Sequence, residues 1–93
     1  MNQAAVNQAL EQLLSAYGWR EEEEALVARS YGAVTLALAK EVYAFALNYP
    51  VNWQTTTLAD ALAALRLALQ VKYPFLTPDR VQQLGNHFAY SWK

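Results

Sequence analysis

The stretch from Glu21 to Tyr49 constrains this chain most, because it carries apolar residues on two nearly opposite sides of one helical cylinder. Val27, Tyr31, Val34, Leu38, Val42, Phe45 and Tyr49 recur at alternating spacings of three and four, the mark of a buried helical face. The phase runs through Gly32 without a break, so the pattern predicts one helix across Glu21–Tyr49. A glycine inside a helix costs about 1 kcal/mol against alanine, which marks Gly32 as a point of close packing or a kink. A second series, Leu26, Ala33, Leu36, Tyr43 and Leu47, lies on roughly the far side, interrupted by Arg29 and Lys40. A helix resting on a globule normally shows one apolar stripe and one polar face. Two stripes require two covers.

The composition sharpens that requirement. Of 93 residues, 55% are hydrophobic and only 16% charged, more apolar than a typical small soluble domain. A single domain of this length buries roughly 60 to 70% of the surface its unfolded chain exposes. The surplus must enter a tight core, a partner or an exposed patch. Cysteine is absent, which excludes a disulfide framework and a thiolate metal site. A net charge of −1 gives no electrostatic reason to expect a nucleic-acid partner. Residues 1–41 sum to −3 and residues 42–93 to +2, a modest asymmetry that the run Glu21–Glu24 largely explains. The start Met1-Asn2-Gln3-Ala4 has no basic residues ahead of an apolar run, and the apolar stretch Ala33–Ala39 falls far short of the roughly 20 residues a bilayer span needs. A cytoplasmic chain without a membrane partner is expected.

Three further helices are predicted. The first spans about Asn2 to Tyr17, with Val6, Leu10, Leu13, Leu14 and Tyr17 inward, Gln3, Asn7, Gln8, Glu11 and Gln12 toward solvent, and Gly18 as its stop. Trp19 and Arg20 then turn the chain into the long second helix, whose first turn holds Glu21–Glu24, where carboxylates suit the positive end of the helix dipole. Consecutive carboxylates fan outward and suit a metal ion poorly. Pro50 ends the second helix. Thr57 caps a third, with Asp60 in the capping-box position. Its main face is Leu58, Leu62, Leu65, Leu69 and Tyr73, its back stripe Ala64, Leu67 and Val71, and it runs to about Lys72. The clearest start signal is Thr77 as N-cap, Pro78 at N1 and Asp79 beside it, with Leu76 able to staple onto Val81. The fourth helix reaches about Trp92, with Val81, Leu84, Phe88 and Trp92 inward and Gly85 marking a close approach. The fold class is all-α: a compact, largely antiparallel four-helix bundle, with the long second helix and the third central and the first and fourth flanking.

No reaction is written in the motifs. His87 is the sole histidine; it lacks a carboxylate to orient it as a base and fellow ligands to hold zinc. Ser15, Ser30 and Ser91 sit in predicted helices outside any G-x-S-x-G elbow, and the glycines at 18, 32 and 85 form no phosphate loop. Thr77 to Phe88 resembles the first helix and turn of a helix-turn-helix, but too little chain follows Gly85 for a full recognition helix. No catalytic residue, metal or cofactor is expected. The aromatics are more informative, since tyrosine and tryptophan anchor protein interfaces. Tyr43, Trp53 and Tyr90, off the inward stripes, join Leu36, Lys40 and Leu47 as the candidate contact surface. The expected function is a non-catalytic protein-interaction module: an adaptor, inhibitor, immunity-type protein or small subunit, binding another protein or a second copy of itself. The alternatives are a nucleic-acid-associated factor built on the C-terminal half around Arg80, and a small-molecule sensor with an apolar pocket between helices two, three and four.

Overall fold

Gly32 divides the long apolar stretch. The computed structural model describes residues 3–14 and 21–91, and among these it contains five helices: α1 (Gln3–Leu13), α2 (Glu21–Tyr31), α3 (Ala33–Leu47), α4 (Leu58–Lys72) and α5 (Pro78–Ser91). Gly32 adopts φ 93° and ψ 159°, a conformation that essentially only glycine occupies. The chain then doubles back. Glu24 Oε1 lies 3.2 Å from Lys40 Nζ, whereas an unbroken helix would place those residues about 24 Å apart along its axis. The four helices expected therefore number five, and the long central helix is a helical hairpin with a one-residue corner. Periodicity could not reveal this, because the large apolar residues keep one spacing across the corner, although the buried line of α3 itself shifts to Thr35, Ala39, Val42 and Ala46.

The hairpin supplies one of the covers that the two stripes demand. α3 packs against α1, α2 and α5, and its innermost line is Thr35, Ala39, Val42 and Ala46. These residues are small, so neighbouring helices approach closely. Both apolar series flank that line: Leu38 and Phe45 on one side, Leu36, Tyr43 and Leu47 on the other, all half-buried and packed on the core. Within α3 the two stripes are thus the two shoulders of one broad buried arc, whereas Leu26 on α2 and Ala33 at the start of α3 stay exposed. Val34, which the continuous pattern puts on the core stripe, is instead 66% exposed, while Thr35 beside it is buried.

The expected order of layers also changes. α4 packs chiefly on α5, and α5 in turn reaches α3 and α1, so α4 lies at the outside and α1 and α5 lie against the centre. A Cβ added to Gly85 of α5 would sit 3.4 Å from Leu62 Cδ2 of α4, an ordinary contact, so the close approach expected at this position does not require a glycine. Leu65 and Leu69 of α4 and Val81, Leu84 and Phe88 of α5 are all buried in the common core. Leu58, at the first residue of α4, stays 41% exposed.

Polar groups pin the ends. Thr57 accepts from the Asp60 N–H at 3.2 Å and Thr77 from the Arg80 N–H at 3.4 Å, each satisfying an otherwise orphan donor. Leu76 and Val81 are both buried, as a staple requires. Asn7, read from the sequence as solvent-facing, performs a different task. Its Nδ2 donates to the Phe75 carbonyl at 3.0 Å and its Oδ1 accepts from the Thr77 N–H at 2.9 Å. One side chain of α1 thereby holds both sides of the α4–α5 link. Tyr17, Gly18, Trp19, Arg20 and Trp92, with the readings attached to them, lie outside the described residues, as does Ser15.

Candidate functional site

The six residues proposed from sequence do not form one open face. Leu36, Tyr43 and Leu47 are half-buried on their own molecule's core. Tyr43 meets His87 of α5 edge-on, ring centroids 5.9 Å apart, and burial raises its phenol pKa. Lys40 is held by Glu24. Trp53 lies in the α3–α4 loop, where Asn52 Oδ1 accepts from the Gln54 N–H at 3.1 Å and turns the chain; the indole stacks on Phe88 at 6.3 Å and 25°. Tyr90, on α5, is largely exposed.

Two strongly exposed large apolar side chains share one helix face elsewhere, on the outer flank of α4. Leu67 is 63% and Val71 75% exposed, and Ala64, one turn before Leu67, is exposed too. Spacings of three and four align these three on one side of the helix. They are the back stripe visible in the sequence. The flank stays open because α4 has a close neighbour chiefly on its α5 side. Aromatic rings crowd the C-terminal end of α4: Tyr73 packs edge-on against Phe45 at 5.6 Å, and Lys72 Nζ stands 4.7 Å above the Phe45 ring, within cation–π range.

The other sequence candidates occupy structural positions. His87 Nε2 lies 3.0 Å from the Leu14 carbonyl, tying α5 to the C-terminal end of α1. Arg80 is buried, and Glu11 Oε2 lies 3.0 Å from its Nη1. The pair is close but misaligned, since Nε and Nη1 have no hydrogen-bond partner. Among the acids of the α2 start, Glu23 accepts from Gln12 at 3.1 Å and Glu24 holds Lys40. Among the described residues no three His, Asp or Glu side chains converge as metal ligands, and no helix is long and apolar enough to cross a membrane. Beside Gly85 the α4–α5 contact opens into a groove of about 270 Å³ lined by Leu62, Arg66, Val81, Gln82 and Asn86. Its walls are as much polar as apolar, unlike the enclosed apolar pockets that hold small molecules. Compared with protein-family models, with curated proteins and with solved structures, this chain finds no match.

Proposed function

We propose that this protein is a non-catalytic interaction module that docks another protein against the outer flank of α4. The observation that carries the reading is the alignment of Ala64, Leu67 and Val71, exposed together on one helix. Three aligned apolar side chains at spacings of three and four are what a partner's apolar groove receives in helix-in-groove recognition. Leu36, Tyr43 and Leu47, half of the surface that the sequence favoured, are partly buried against the core of their own molecule and so offer less to a partner. Within this reading the bundle acts as a scaffold: α5 fixes one side of α4 and leaves the other to the partner. A nucleic-acid reading leans on Arg80, which is buried and paired with Glu11 and so offers little to a phosphate.

Site-specific photo-cross-linking tests the proposal. A cross-linking residue at position 71 should trap a discrete adduct that one at Glu22, exposed at the start of α2, does not. Leu67→Asp should abolish that adduct while changing stability by no more than about 0.5 kcal/mol, as for other surface substitutions. Equal adducts from both positions, or an adduct indifferent to Leu67→Asp, would sink the reading.

A further inference from the structure

The corner at Gly32 conflicts with the sequence around it. Apolar spacing fits one helix from α2 into α3, yet the structure breaks there, exposes Val34 and buries Thr35. Local and global preferences usually agree in a natural sequence, and a conflict marks a functional or bistable element. The break is also minimal. The Gly32 N–H still reaches the Ala28 carbonyl at 2.9 Å, and the Leu36 N–H still reaches the Gly32 carbonyl at 3.1 Å. Both are helical i→i−4 bonds, so rotation at one residue would add the three missing between the N–H groups of residues 33–35 and the carbonyls of residues 29–31. No side chain caps the start of α3, and beyond its two chain neighbours no residue comes within 4 Å of where a Gly32 Cβ would stand. Among the described residues, the glycine's torsion angles, the packing of the hairpin and the Glu24–Lys40 pair keep the corner bent.

We propose that Gly32 is a hinge at which α2 and α3 join into one continuous helix, and that two copies of the chain then exchange their α1–α2 arms to form a dimer. The occupant of the vacated surface is a second copy because every contact needed already exists within one molecule. α1 packs on α2, which travels with it, and on α3 and α5, which stay. After exchange the Asn7 bonds to Phe75 and Thr77 and the Glu24–Lys40 pair form between copies, with the same partners as before. A short hinge between elements that pack well in either arrangement favours such swapping. The inference does not depend on the α4 flank.

Gly32→Ala provides the test. Alanine is excluded from the observed corner and is the best helix former, so the variant should remain helical and dimerise about tenfold or more tightly than the native chain by light scattering. Spin labels at Glu22 and Ala44, both exposed, report the hinge directly. In the bent form they sit on neighbouring helices about 10 Å apart. In the extended form they are separated within one chain by about 33 Å. Labelled Gly32→Ala refolded with excess unlabelled protein should show the long distance in the dimer fraction. Gly32→Pro, which fits neither the corner nor a continuous helix, should lose stability without dimerising. A monomeric Gly32→Ala with the short distance overturns the proposal, as does a Gly32→Ala that loses its helical signal. A Gly32→Pro that dimerises as well as Gly32→Ala overturns it too, since exchange would then not need the joined helix.

Discussion

The Tyr73 hydroxyl donates a 2.9 Å hydrogen bond to Glu41 Oε2, joining the residue that ends α4 to the exposed side of α3. It is a principal tie between these two helices, since α4 otherwise leans on α5. Burial of the phenol, with the hydrogen bond to Glu41 and its negative charge, pushes the Tyr73 pKa up to about 12.

A phenol pKa raised above its unfolded value of about 10 means that the folded state favours the protonated form. The stabilisation from Tyr73 is therefore complete below pH 10 and fades as pH rises from about 10 to about 12. Urea midpoints measured across that range should fall more steeply for the native protein than for Tyr73→Phe. Parallel slopes would remove Tyr73 as the cause.

Asn7→Ala should destabilise the protein by about 1–3 kcal/mol, since it deletes two hydrogen bonds and strips partners from the Phe75 carbonyl and the Thr77 N–H. Hydrogen exchange should quicken most at the Thr77 amide. A loss below about 0.5 kcal/mol in urea would show that water replaces the side chain fully.

Arg80 and Glu11 predict an inversion. Arg80 keeps donors without partners inside the protein, whereas its partner is largely exposed. Replacing a buried charge by an apolar side chain of similar volume is often neutral or stabilising, while removing its partner leaves the charge uncompensated. Arg80→Met should therefore melt at or above the native temperature and Glu11→Ala below it. The opposite order would mean that the guanidinium is better solvated than its burial implies.

At Gly85 two substitutions should part company. Alanine meets Leu62 Cδ2 at an ordinary contact distance and adds helix propensity, so Gly85→Ala should gain up to about 1 kcal/mol. Gly85→Leu overfills the α4–α5 contact and should lose about 1–3 kcal/mol. Thermal melts of both variants decide the matter.

Much of the local structure was legible from residue types. The caps at Thr57 and Thr77, the burial of Leu76 and Val81 and the buried faces of α1 and α5 follow from hydrogen-bond chemistry and spacing. The corner was not, because the large apolar residues keep their spacing across Gly32, and the small residues that mark the shifted buried line carry too little signal to show it. Thr35, Ala39 and Ala46 escaped notice as the core line of α3 because small residues carry little hydrophobic signal. For the same reason the larger residues on their shoulders looked like a second face in need of a partner. Asn7 and Arg80 behave as they do through residues about 70 positions away, a relation that local patterns do not encode. The α4 flank could be read as a stripe, but its openness depends on which helices surround it.

The double grip of Asn7 on the α4–α5 link also sets a timetable for biosynthesis. At about 5–20 residues per second, several seconds pass between the emergence of Asn7 from the ribosome and that of Thr77. Throughout that interval the apolar side of α1 has no α5 to rest on. Nascent chains at this stage are the ones a general chaperone would meet.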